Sequence, residues 1–159
     1  MSEIDTLRRA FTTNLLQTGR QWRRITDQTL MASNISEACA APLLWIGRLG
    51  GGVRQNTLAS YVGIEGPSLV RLIDQLEASG LVVRQDDKVD RRAKTLWLTD
   101  DGEQFAARLE CILVELRDQI LADVSKEDLE AALRVLAAFD RASSSGNVEP
   151  SAREVGLAP

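Results

Sequence analysis

Residues 58–98 restrict what this chain can fold into more than any other segment. The run LASYVGIEGPSLVRLIDQLEASG is followed, one residue later, by VVRQDDKVDRRAKTLWLT. Two short helix-forming stretches flank Gly63, a residue that takes positive φ without steric cost and so permits a tight turn. Pro67 presets the first turn of the second stretch, and Gly80 stops it. Leu58, Val62, Ile64, Leu69 and Leu72 fall where a small core beneath a helix pair needs apolar side chains, and Ala59 is small where the helices cross. Downstream, Leu81 to Arg84 and Thr95 to Leu98 alternate around a polar loop, which predicts the two strands of a hairpin. Helices at 56–62 and 67–79 with a hairpin at their exit make a winged helix-turn-helix.

The polar residues of this segment suit nucleic acid. On the second helix Leu69, Leu72, Ile73 and Leu76 take one face, and Ser68, Arg71 and Gln75 take another. Near a helix N-terminus such side chains reach base edges, arginine bidentate to guanine and glutamine to adenine. The helix start also offers backbone N–H groups to a phosphate. The hairpin tip gathers Arg84, Lys88, Arg91, Arg92 and Lys94 with Asp86, Asp87 and Asp90 among them. An aspartate just before two arginines can fix one guanidinium while the other extends into a narrow minor groove. Each set alone is also what a solvated face looks like; adjoining one another on one motif, they point to double-stranded DNA.

Composition removes other classes. The chain has no histidine and two cysteines, Cys39 and Cys111, so the commonest general base and the commonest metal ligand are missing. No catalytic residue, metal site or cofactor is expected. No stretch approaches the roughly 18 apolar residues of a membrane span, and MSEIDTLRRAF lacks the apolar centre of a leader, so a cytoplasmic location is expected. The net charge of −4 is uneven: residues 1–53 carry +2, residues 54–97 carry +1 and residues 98–159 carry −7. The acidity lies away from the proposed reading surface.

The rest of the chain reads as helix. Residues 6–31 carry an apolar stripe of Leu7, Phe11, Leu15, Trp22, Ile25 and Thr29, with five arginines and no acid between Thr6 and Thr26. Asn34 or Ser36 caps a second helix with Ile35, Cys39, Leu43 and Ile46 on its apolar face, bent at Pro42, and Gly50-Gly51-Gly52 makes a flexible corner after it. Thr99 opens a long helix over 100–123 whose stripe is Phe105, Leu109, Ile112, Leu116 and Ile120. Ser125 and Asp128 form a capping box for a last helix, with Leu129, Leu133, Leu136 and Phe139 inward. The expected organisation is N-terminal helices at 1–53 (dimerisation and lobe scaffold), a winged helix-turn-helix lobe at 54–99, C-terminal dimerisation helices at 100–142, and a disordered polar tail at 143–159. The apolar stripes at the two ends have no sheet to cover them, which predicts a mainly α homodimer with a small β-hairpin wing.

The run GIEGPSLVRLIDQLEASGLVVRQ…DRRAKTLWLT resembles the MarR family of bacterial transcriptional regulators, in particular its SlyA-like branch. DRRAK at 90–94 with LT at 98–99 is the most specific element, and RQWRRITD at 20–27 is a second trace. The order of elements is similar over roughly residues 5–142. The resemblance implies a homodimer whose terminal helices interlock above two winged lobes. Pro67, Ser68 and Arg71 would contact a major groove, with Gln75 on the same face, and Arg91 and Arg92 a minor groove with Asp90 orienting them. The operator would be pseudo-palindromic, its half-sites ~10 bp apart. Many such proteins bind small phenolic or aromatic carboxylates between the dimer helices and the DNA lobe. Here Arg20 and Arg23 would supply the cation, and Trp22 and Trp45 the aromatic contact, of a ligand that relieves repression. Two other readings stay open: a thiol-based redox regulator using Cys39 or Cys111, and a winged-helix module that binds protein without DNA.

Overall fold

The structure, a computed structural model, describes residues 2–145. Helix α1 spans Glu3–Leu30. It starts earlier than its apolar stripe because Ser2 and Asp5 form a capping box, the Ser2 hydroxyl accepting from the Asp5 amide and the Asp5 carboxylate from the Ser2 amide. A 3-10 turn over Met31–Ser33 and left-handed Asn34 lead to Ser36, whose hydroxyl accepts from the Cys39 amide and caps α2, Glu37–Arg48. Helix α2 continues through a buried Pro42. Then follow β1 (Val53–Arg54), α3 (Gln55–Val62), α4 (Gly66–Ala78), β2 (Val82–Asp86), β3 (Lys94–Leu98), α5 (Asp100–Ile120) and α6 (Lys126–Ser145). Gly63 adopts φ 74°, as the turn between α3 and α4 requires.

The wing has three strands, not two. Its antiparallel order is β1-β3-β2, with Val53 opposite Leu96 and Arg84 opposite Leu96 from the other side. Two residues are too few to show a period of two, so β1 cannot be read from pattern. The triple glycine that delivers it is a packed corner rather than a flexible one. All three glycines have positive φ, and a methyl on Gly51 would lie 2.5 Å from Cε3 of Trp97.

The core forms under the helix-turn-helix. Leu43 and Ile46 of α2, Leu58 of α3, Leu69 and Ile73 of α4, Leu96 of β3 and Leu109 of α5 are fully buried. Helix α5 turns Ala106, Leu109 and Leu113 inward, while Phe105, Ile112 and Leu116 are only partly buried. Of the expected stripe only Leu109 is fully buried, and Ile120 is exposed. Along α1 only Thr26 and Leu30 are buried; Leu7 and Ile25 of its stripe are exposed.

The described residues divide into two compact units, the first ending at Gln119 and the second beginning at Ile120. In the second, the Asp128 amide donates to the Ser125 hydroxyl at 3.1 Å, as the capping box predicts. Leu129, Leu133 and Leu136, expected inward, are exposed on the single chain. Helix α6 runs to Ser145, so the polar segment expected to be disordered from Ser143 begins inside it; residues 146–159 lie outside the described ones. Among the described residues no helix is long and apolar enough to cross a membrane.

One junction joins the recognition motif to α5. The Thr99 amide donates to the Leu81 carbonyl at 3.1 Å, its hydroxyl donates to the Gly80 carbonyl at 2.6 Å, and the Gly102 amide donates to that hydroxyl at 3.0 Å. A methyl on Gly102 would overlap the Leu81 carbonyl oxygen. Gly102→Ala is therefore expected to cost about 3 kcal/mol, the range of overpacking in a closed site, seen as a lower urea midpoint with an unchanged m-value.

Candidate nucleic-acid interface

Helix α4 begins at a Glu65 N-cap that supplies no side-chain cap. Its first N–H groups therefore have no partner within the helix. Pro67, Ser68 and Arg71 are exposed there. Among the described residues Arg71 makes no ion pair. Gln75, two turns on from Ser68, is engaged: its Oε1 accepts from the Cys39 thiol of α2 at 3.2 Å. It does not stand free beside Ser68 and Arg71.

The five wing cations separate into two kinds. Arg84 faces α4, where its guanidinium bonds Asp74 at 2.5 Å and also pairs with Glu77. Burial works against the Arg84 charge, yet the Asp74 hydrogen bond and the Glu77 charge leave its pKa above the usual arginine value. Lys94 pairs with Asp86 across the hairpin. Lys88, Arg91 and Arg92 are exposed and, among the described residues, make no ion pair. This difference matters, because only unpaired cations are available to exchange counterions with phosphate.

Among the described residues Asp90 does not pair with a guanidinium. Its Oδ1 accepts from the Arg92 amide at 3.1 Å and its carbonyl from the Ala93 amide at 2.9 Å, which folds the tip as a local turn. A short acceptor side chain two residues before an amide satisfies that amide first. The anchor of the tip is Asp87. Its Oδ1 accepts from the Val89 and Asp90 amides, and its Oδ2 from Arg54 of β1 at 2.7 Å. Those backbone bonds, then Arg54, hold its carboxyl below the usual aspartate range. No spacing rule connects residues 54 and 87, so Arg54 was not legible as a wing residue. Asp74 and Glu77 could have been: two acids on a DNA-reading helix would repel phosphate unless something neutralised them.

A cavity of about 140 Å³ lies between α1, α2 and α5, lined by Trp22, Thr26, Glu37, Trp45, Arg48 and Arg117 among others. It brings the two expected tryptophans together. Arg20 and Arg23 are not in its lining; both are exposed on α1, and the cavity's cations are Arg48 and Arg117. Burial raises the pKa of Glu37, which the Arg23 charge opposes. Among the described residues the buried Thr26 hydroxyl has no hydrogen-bond partner, although Thr29 one turn away bonds the Ile25 carbonyl at 2.9 Å. An orphaned buried hydroxyl is uncommon and calls for a polar partner.

Glu110 of α5 holds the arginines, accepting from Arg48 Nε at 2.6 Å and standing 3.7 Å from Arg117. The Arg48 hydrogen bond chiefly keeps its carboxyl below the usual glutamate range. Arg48 also sits 5.3 Å from the centre of the Trp45 ring, and Trp45 lies 4.8 Å from Tyr61 of α3. A second cavity of about 430 Å³, bounded by the end of α2, Trp97 and the start of α5, has Arg48 and Glu110 in its wall. Among the described residues no group of histidine, cysteine and acids is placed to hold a metal.

The arrangement has counterparts among known proteins. The family model described as "MarR family" matches residues 33–93. The crystal structure of the transcriptional regulator PA3341 is 36% identical, with TM-score 0.74, over 82% of this chain and 98% of that one. NadR in complex with 4-hydroxyphenylacetate is 25% identical, with TM-score 0.73, over 81% and 91%. The repressor CouR bound to a 23-mer DNA duplex shares the fold at 24% identity, with TM-score 0.72, over 88% and 99%. A winged lobe with an open helix start, the matching family model and a full-length relative at this identity show that the chain belongs to the MarR family of DNA-binding transcriptional regulators, which are not enzymes.

Proposed function

We propose that this protein is a homodimeric repressor of a pseudo-palindromic operator, released by a small phenolic or aromatic carboxylate. The observation that carries the DNA half is the set of exposed, unpaired cations at the two reading points, Arg71 on α4 and Lys88, Arg91 and Arg92 on the wing. Pro67, Ser68 and Arg71 read the major groove, and Arg91 and Arg92 enter the minor groove. Asp90 shapes the tip that presents them, and Gln75 ties α4 to α2. The motifs DRRAK and RQWRRITD favour the SlyA-like branch.

Dimerisation is supported by apolar surface. Leu7 and Leu16 on α1 are 59% and 67% exposed, and Leu133 on α6 is 65% exposed. A second copy covers these faces, with the helices of 1–53 and 100–142 forming the dimer and 54–99 the DNA lobe. The ligand half rests on the smaller cavity. It has two aromatic walls, two guanidiniums and an unsatisfied hydroxyl, and it is well below the ~300 Å³ at which drug-sized pockets begin. That suits one ring bearing an acid and a hydroxyl, as in the ligand named for NadR. The Cys39 thiol is donated to Gln75, which does not favour the redox reading.

Fluorescence anisotropy on the DNA upstream of its own gene tests the DNA half. Arg91→Ala is expected to flatten the slope of log K against log salt by ~0.9 for each phosphate that Arg91 neutralises. Arg71→Ala is expected to cost ~1–3 kcal/mol of discrimination at one base pair. Arg84→Ala, whose charge is already committed to Asp74 and Glu77, should weaken binding with the slope unchanged. Undiminished binding by the Arg71→Ala/Arg91→Ala double variant would sink the assignment.

Removing an unsatisfied buried hydroxyl without changing shape should stabilise. Thr26→Val is therefore expected to raise the stability of the free protein by ~1 kcal/mol while reducing thermal stabilisation by 4-hydroxyphenylacetate. The Asp87 carboxyl is depressed, so its ordering of the tip is complete at neutral pH and lost only as pH falls below the usual aspartate range. NMR should show the Val89 and Asp90 amides keeping their shifts down to that range, and Asp87→Ala losing them already at neutral pH.

A further inference from the structure

The Arg48–Glu110 ion pair forms part of the partition between two cavities. Arg48 lines both, Arg117 lines the smaller, and Glu110 lines the larger. Glu110 and Arg117 are two turns apart on α5 with Leu113 between them, so all three take one face of that helix. The two cations of the smaller cavity therefore share a carboxylate that is rooted on the far side of its wall. We infer that Glu110 is a resident counter-anion of the ligand site, holding Arg48 and Arg117 until an acidic effector displaces it into the larger cavity. This rests on the ligand reading above.

Charge balance favours displacement over addition. The smaller cavity is bounded by two guanidiniums, by Glu37 in its wall and by Glu110 at its back. Two cations already face two acids, so one more carboxylate would be surplus charge in a partly desolvated space. Exchanging Glu110 for the effector's carboxylate preserves the balance. The displaced side chain has somewhere to go: about 430 Å³ lies on its own side of the partition, and Glu110 is already 33% exposed. The exchange also has a route to the DNA lobe. Arg48 lies over Trp45, and Trp45 rests on Tyr61 of the first motif helix. Turning Arg48 toward a ligand alters the stack that seats α3 against α2.

Calorimetric titration of the full chain with 4-hydroxyphenylacetate and its neutral amide tests this. Glu110→Gln keeps a hydrogen-bond acceptor for Arg48 but removes the competing charge, and is expected to bind the acid about 10-fold more tightly. The amide should change by less than about 2-fold. Glu115→Gln, which removes the same charge from an exposed position of the same helix outside both cavities, should leave both affinities unchanged. Binding detected in Glu110→Gln alone also supports the inference. Equal or weaker acid binding in Glu110→Gln, or equal tightening of acid and amide, overturns the counter-anion role and leaves the ligand reading standing. Binding by neither protein removes both. Should Glu110→Gln fold poorly, the wild-type protein gives the answer: the Glu110 carboxyl carbon resonance should move on saturation with the acid and stay in place with the amide. No movement under the acid overturns the role.

Discussion

Four residues at the exit of the recognition helix set the geometry of everything below α5. Thr99 closes the hairpin by bonding the Gly80 and Leu81 carbonyls, and the same hydroxyl receives the Gly102 amide at the start of α5. A hydroxyl that donates once and accepts once joins three elements at one oxygen. The close approach depends on Gly102, where any side chain would meet the Leu81 carbonyl. The direction in which α5 leaves the lobe is thus decided by backbone contact.

Within the lobe, charge is used for shape as much as for attraction. Arg84, Lys94 and Arg54 are committed to Asp74, Glu77, Asp86 and Asp87. Exposed pairs of this kind contribute only ~0–1 kcal/mol each to stability. Their consequence is geometric: Arg84 ties the wing to the reading helix, and Arg54 ties the wing tip to the edge strand. The cations left unpaired then project from a framework that is already ordered, which lowers the entropy cost of docking. The cavity between α1, α2 and α5 follows the same logic, since its guanidiniums are held by Glu110 rather than left bare.

Much of the chain was legible because the signals are local. Gly63, Pro67 and Gly80 punctuate the helix-turn-helix, and each acts through its own φ or its immediate neighbours. Leu58, Leu69 and Ile73 occupy the core their spacing predicts, and Ser36 and Ser125 cap the helices that follow them. Errors arose where a local rule had a nonlocal competitor or a nearer one. Asp90 is placed by pattern to steady an arginine, but the nearer Arg92 amide takes its oxygen. The triple glycine has the composition of a hinge, but Trp97 packs against it. Leu7 and Leu133 lie on amphipathic stripes and are nonetheless exposed on the single chain, because periodicity specifies a face without specifying what covers it.

By itself the sequence determined the helices, their caps, the turn of the reading motif and the collection of cations on the wing, all set within a few residues along the backbone. Only the tertiary structure decided that β1 pairs with β3, that Arg54 anchors Asp87 across 33 residues, that Gln75 is held by Cys39 across 36, and that Arg48 meets Glu110 across 62. Residue spacing carries no information at such separations, where a partner is chosen by which surfaces the core brings together. For that reason the cations facing the cavity are Arg48 and Arg117 and not the adjacent, pattern-bearing Arg20 and Arg23.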